Sequence, residues 1–267
     1  MNIFLNKLAL NQGIVPLSYT IQTAFVSVII INSYLLFSKK WQGINLSKKI
    51  HANLIGMGFF VGIAYILGTY GLLYSTSINY GFLIKSTLVF IILLAWVFLK
   101  ERLTKEKLLL LFLFVIGAYL ISTAGKALVP QLGDLLILGS AFCFSCAIVI
   151  AKPLTKHVKP EILGGYRLTI SFIFLIPLIP IFGLDTFIVK EALNVLIVGI
   201  SIAVLAIYIN KTISVSSASY LTMMSMMVPV IVAILGYTFL HEPVNLAQFI
   251  GGILIILSGI LVHKYHI

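Results

Sequence analysis

Residues 79–107 read NYGFLIKSTLVFIILLAWVFLKERLTKEK. From Asn79 to Leu99 the only charge is Lys85, and a charged hairpin then follows at once. At 1.5 Å of rise per residue this run makes about 31 Å of helix, enough to cross a bilayer core of about 30 Å. A second block, SYLTMMSMMVPVIVAILGYTFLHEPVNLAQ at Ser219–Gln248, has the same layout. The two blocks read as copies of one unit.

Composition puts the rest of the chain in the same setting. Only 9% of the 267 residues are charged, 61% are hydrophobic, and mean hydropathy is +1.15. A soluble domain carries about 25% charged residues, so the reading is an all-α, polytopic membrane helix bundle. The net charge of +11 does not point to nucleic acid, because the basic residues fall in short loops between apolar runs. There they act as topology signals.

Nine full spans are expected: Pro16–Phe37, His51–Tyr70, Asn79–Leu99, Leu108–Ala124, Leu135–Ala151, Glu161–Phe182, Val195–Ile209, Ser219–Leu240 and Leu246–His263. Residues 1–15 lack the features of a secretory signal peptide. The polar connector GKALVPQLGD at 125–134 divides the chain into repeats of 1–124 and 125–267. With the 38–50 loop in the cytoplasm, that side holds 13 Lys and Arg and the opposite side three. The expected location is therefore the cytoplasmic membrane, with the C-terminus inside.

A shift of 141 residues places Gly58 on Gly199, Ser75 on Ser216, Val89 on Val230, Phe98 on Phe239 and Glu101 on Glu242. In this topology the two glutamates lie on opposite sides, so the repeats are inverted. Inverted repeats characterise secondary transporters, whose site lies near the midplane between the halves.

The segments YGLLYSTSINYGFLIKSTLVFIILLAWVFLKERLT (70–104) and ISVSSASYLTMMSMMVPVIVAILGYTFLHEPVNLAQFIGGILIILSGILV (213–262) carry a resemblance. The pattern is a polar turn, a span with a mid-helix proline (here Pro229), a terminal L-x-E, then a Gly-bearing span. The chain resembles an EamA-type member of the drug/metabolite transporter superfamily. The resemblance implies ten helices in two inverted sets of five, and transport of a small organic metabolite or drug by alternating access. PEILGGYRL at 160–168 resembles PLSYTIQTA at 16–24. On that register residues 1–12 match the tail of a first helix, and the counterpart of Leu135–Ile150 is expected to be largely missing. A truncated or accessory, non-transporting subunit is the alternative reading.

Lys85 and Arg167 are the two charges inside spans. An intramembrane cation faces a cavity or a partner, or its stem snorkels to the headgroups. Arg167 is open to three roles: anchoring a carboxylate or phosphate, snorkelling, or pinning a neighbouring helix. No carboxylate lies in mid-span, so the expected substrate is anionic, zwitterionic or neutral rather than cationic.

Tyr74, Asn79, Tyr80, Ser219 and Tyr220 are candidate pocket hydrogen-bonding groups. Met223 and Met226 belong to a methionine cluster that either lines the pocket or packs. Glu101 and Glu242 are expected to cap or orient the helix after each hairpin, and Pro229 to kink its span. Cys143 and Cys146 sit in an apolar run and are expected to pack. No cofactor, metal site or catalytic group is expected, since the five histidines lie near span ends and no acids pair with them. The partners are a small-molecule substrate and the lipid bilayer, with a homodimer left open.

Overall fold

A computed structural model of the chain describes residues 2–38, 47–99, 104–123, 131–182, 191–215 and 227–264. The described segments fold into α1 (Asn2–Asn11), α2 (Pro16–Phe37), α3 (Lys48–Tyr74), α4 (Ser77–Leu83), α5 (Ser86–Leu99) and α6 (Lys105–Thr123). They continue with α7 (Leu132–Leu154), α8 (Pro160–Leu175), α9 (Ile179–Phe182), α10 (Ala192–Val215), α11 (Met227–Phe239) and α12 (Leu246–Lys264). Six of the described segments are long and apolar enough to cross a membrane, with α4 and α5 counted as one; shorter apolar stretches lie in α6, α11 and α12.

Local chemistry sets the helix ends. Pro16 and Pro160 open α2 and α8, where a missing N–H costs nothing. Ser47 and Thr76 cap α3 and α4 through their side-chain oxygens. α8 gives way to a 3-10 turn at Ile176–Leu178, at the first of two prolines, Pro177 and Pro180.

Asn79–Leu99, expected as one straight span, is interrupted at Ile84–Lys85, between α4 and α5. The N–H groups of Lys85, Thr87 and Leu88 bond three residues back instead of four. Thr87 Oγ1 also donates to the Ile84 carbonyl at 2.6 Å. The break falls beside the charged residue, and local hydroxyls take up the freed backbone groups, as Ser and Thr do in interrupted membrane helices.

Packing follows small residues rather than apolarity, because lipid is as apolar as a leucine side chain. Along α10, Leu193, Leu196, Ile200, Val204 and Tyr208 are exposed, while Val198, Gly199, Ala203, Ala206 and Asn210 are buried. A β-carbon on Gly58 of α3 would fall 2.5 Å from Ile170 Cβ on α8. One on Gly199 of α10 would fall 2.7 Å from Val26 Cβ on α2. These glycines correspond under the 141-residue shift, and their contacts correspond too: α3 crosses α8 as α10 crosses α2. Where α6 crosses α12, a Cβ on Gly117 would meet the Gly251 carbonyl, and one on Gly251 would meet the Gly117 carbonyl.

α3 packs most extensively on α7. Gly133 lies directly against the Tyr74 backbone, and Ser140 Oγ donates to the Ala64 carbonyl at 2.7 Å. Buried residues of α2, α3, α7, α8 and α10 form one core, and those of α4, α5, α6, α7 and α12 another. Helices from before and after residue 124 are thus interleaved throughout.

Candidate functional site

A cavity of about 210 Å³ lies inside the bundle, walled by α1, α2, α3, α4, α7, α8 and α10. Its polar lining comes from short periodic stripes. α2 contributes Tyr19, Thr20 and Thr23, and α3 contributes Tyr65 and Thr69. Three- and four-residue spacing puts such groups on one helix face.

Thr20 Oγ1 donates to Thr69 Oγ1 at 2.9 Å, which ties α2 to α3. Tyr80 reaches the wall from α4. Its hydroxyl bonds to Ser140 and passes Gly68, where a Cβ would stand only 2.8 Å from Tyr80 Oη. The Tyr19 hydroxyl lies 2.9 Å from both Asn6 Oδ1 on α1 and Asn194 Oδ1 on α10.

Arg167, on α8, is the lining residue with a full charge among those described. Its side chain is 5% exposed. The guanidinium carbon stands 5.9 Å from the centroid of the Phe144 ring, and Phe144 packs edge-on against Tyr65. Among the described residues Arg167 Nε has no hydrogen-bond partner. The cation thus stands over an aromatic ring, while its Nε–H is left without an acceptor among the described residues.

At the end of the bundle that carries Gln131 and His241, a second polar assembly joins the helices. Glu242 accepts hydrogen bonds from Ser77 N and Ser77 Oγ, both at 2.8 Å, and from Ile78 N at 3.1 Å. It therefore caps α4. The expectation that Glu242 caps the next helix is corrected here, since α12 is capped reciprocally by Asn245 and Gln248. His241, at φ 53°, turns the chain so that Glu242 points back. Asn79 Nδ2 donates to Asp134 at 3.3 Å, and Gln248 Nε2 donates to Asn79 Oδ1 at 2.8 Å. Lys7 Nζ donates to the Leu72 and Ser75 carbonyls at 2.8 and 2.6 Å, closing the end of α3, where cations are favoured.

Of the residues singled out from the sequence, Arg167 and Tyr80 line the cavity. Lys85 lies in the α4–α5 break, 8% exposed, and Asn79 lies in the polar assembly; neither lines the cavity. Tyr74 is 55% exposed. Pro229 is in the first turn described for α11, beside Gly81. Ser219, Tyr220, Met223, Met226 and Glu101 lie outside the described residues. Cys143 and Cys146 are free thiols, the first buried and the second half-buried. Among the described residues no group of three metal-ligating side chains comes together.

The sequence reading did not single out Tyr65, Thr20, Thr23 or Thr69. Their signal was the short polar stripe, which is faint beside a charge in an apolar run. A second recess of about 730 Å³ lies between α3, α5 and α7, lined by Lys49 and Asn53 and by apolar residues that include the exposed Phe98.

Comparison with known proteins adds the family. The profile of the EamA-like transporter family matches residues 1–123 and again 131–263. An uncharacterized transporter of Methanothermobacter thermautotrophicus is 27% identical over 210 residues, covering 75% of this chain and 60% of that protein. The uncharacterized transporters YetK and YyaM of Bacillus subtilis are 24% and 25% identical, over 98% and 83% of this chain and 82% and 76% of their own lengths. One solved crystal structure superposes with a TM-score of 0.72 at 17% identity, over 99% of this chain and 95% of that one. It shares the fold.

Proposed function

The chain belongs to the EamA-like transporter family, and we propose that it is a secondary transporter carrying a small organic metabolite through the cytoplasmic membrane by alternating access. The observation that carries this is the cavity itself. It lies between helices of both matched segments, is apolar over most of its wall, and presents one buried, under-satisfied cation, Arg167. Binding sites of secondary transporters lie between inverted repeats, and one repeat rocks against the other to expose them.

On this reading the repeats are 1–124 and 125–267, and the substrate is anionic, zwitterionic or neutral. A buried arginine without a carboxylate among the described lining residues disfavours a cationic drug. The excess of Lys and Arg in one set of loops supports a cytoplasmic C-terminus. The Glu242 assembly then lies at the outer end, where it joins α4 to the α11–α12 turn and α7 to α3 and α4, as a closed outer gate would require.

The test is flux. The purified chain is reconstituted in vesicles and uptake of a pooled radiolabelled panel of amino acids, organic acids and nucleobases is measured. Saturable uptake that falls at least tenfold in Arg167→Gln is expected. No uptake of any member by correctly folded protein would shift the assignment to a non-transporting subunit of the same fold.

A further inference from the structure

We infer that the cavity is built for an organic monocarboxylate with a compact apolar body and no ammonium group, its carboxylate seated on the edge of Arg167. The inference rests on the transport reading above and narrows its substrate.

Three observations lead to it. The first is the state of Arg167. A guanidinium over an aromatic ring gains charge–quadrupole attraction there but no hydrogen-bond acceptor for its N–H groups. Here the guanidinium carbon lies 5.9 Å from the Phe144 ring centroid, and Nε has no acceptor among the described residues. An unpaired N–H on a charge that is 5% exposed is costly, and the acceptor that matches an arginine edge is a planar carboxylate, held by two parallel hydrogen bonds.

The second observation is charge balance. Arg167 is a single positive charge, and no Asp or Glu lines the cavity among the described residues. Asp134 and Glu242 are engaged in the other assembly, with Ser75 and Asn79 and with Ser77 and Ile78. One carboxylate makes the site neutral. The ammonium of an α-amino acid would lie one carbon from that carboxylate, beside the guanidinium, with no counter-charge in a low-dielectric wall. The threonine oxygens nearby already donate to their own helices: Thr23 to the Tyr19 carbonyl and Thr69 to the Tyr65 carbonyl. Their lone pairs are neutral acceptors and do not offset a second cation.

The third is size and lining. About 210 Å³ is below the roughly 300–1,000 Å³ typical of drug-sized pockets. Besides Arg167 the wall includes Ala24, Val198, Ile202 and Ala206, which suits a short hydrocarbon body.

The experiment uses four probes that share the branched 3-methylbutyl body and differ in the polar end: 4-methylpentanoate, leucine, 3-methylbutylamine and 3-methylbutyl phosphate. Binding to the purified full chain in detergent is measured by calorimetry. 4-Methylpentanoate is expected to bind at least tenfold tighter than each of the others. Arg167→Gln is expected to weaken it at least tenfold, and Arg167→Lys at least threefold, because an ammonium cannot offer the forked contact.

Leucine binding as tightly as 4-methylpentanoate overturns the exclusion of ammonium, and the phosphate ester binding more tightly overturns the carboxylate in favour of a phosphoryl group. Failure of all four to bind, while the reconstituted chain transports members of the mixed panel, overturns this inference and leaves the transport reading standing. The ranking of probes on the unsubstituted chain needs no variant, so a variant that fails to fold does not remove the test.

Discussion

The Glu242 carboxylate and Ser77 lie 165 positions apart in sequence and are joined twice: one oxygen accepts from the Ser77 backbone N–H and the other from its hydroxyl, each at 2.8 Å. A carboxylate at a helix N-terminus satisfies donors that the helix itself cannot. Here the cap comes from the turn between α11 and α12, so α4 is completed by a residue from the far end of the chain. Glu242→Ala is expected to lower stability by about 1.5–3 kcal/mol, the range for hydrogen bonds to a charged group. Glu242→Gln, which keeps an acceptor, is expected to lose less. Thermal melting in detergent of the two variants beside the parent chain checks the order.

His241 is the described residue other than glycine with positive φ. A β-carbon costs about 1–2 kcal/mol in that region, although histidine is among the side chains that tolerate it best. His241→Gly is expected to raise the melting temperature slightly, with the strain relieved in the fold offset in part by the freer unfolded chain. A fall of several degrees would mean that the imidazole itself holds the turn.

Gly58 and Gly199 make equivalent close crossings, α3 on α8 and α10 on α2. An added methyl at either must push a neighbouring β-branched side chain away, and overpacking of this kind costs about 1–3 kcal/mol. Gly58→Ala and Gly199→Ala are both expected to destabilise. Gly56→Ala is the control: its nearest atom would be 3.9 Å away, and replacing a mid-helix glycine gains about 0.5–1 kcal/mol. A guanidinium or heat titration of all three gives the ranking.

Gly68 makes room for the Tyr80 hydroxyl, which a Cβ would approach to 2.8 Å. Gly68→Ala is expected to displace Tyr80 and narrow the cavity. In a flux assay the half-saturation concentration should rise at least threefold, with little loss of folded protein. An unchanged value would separate Tyr80 from the substrate path.

Asn79 bridges Asp134 and Gln248, accepting from one and donating to the other. Asn79→Ala and Gln248→Ala should therefore not be additive. A double-mutant cycle on melting free energies is expected to give a coupling of about 0.5–3 kcal/mol. Additivity within about 0.5 kcal/mol would mean that the bridge contributes nothing beyond its separate parts.

The sequence alone determined the class of the fold. Long apolar runs separated by short basic loops, in a chain with 9% charged residues, leave a helical membrane bundle as the reading. That information is local: each span shows in its own residues. The 141-residue repeat was also legible, because Gly58 and Gly199 are fixed by backbone approach and a larger residue has no space there. Arg167 stood out since one charge in an apolar run is rare enough to be read singly.

What only the tertiary structure decided depends on which helices meet. Tyr65, Thr69, Thr20 and Thr23 become a wall because α2 and α3 turn those faces inward together, and single hydroxyls in an apolar helix give no such direction. Lys85 and Asn79 look like pocket residues in the sequence, but the break after α4 places one at a helix interruption and the other beside Asp134 and Gln248. Glu242 looks like a cap for its own hairpin, yet the left-handed turn at His241 sends it to α4. A residue's type and depth can be read along one chain. Its partner is chosen by packing between segments more than a hundred residues apart, and small residues and backbone crossings, which carry little sequence signal, decide that packing.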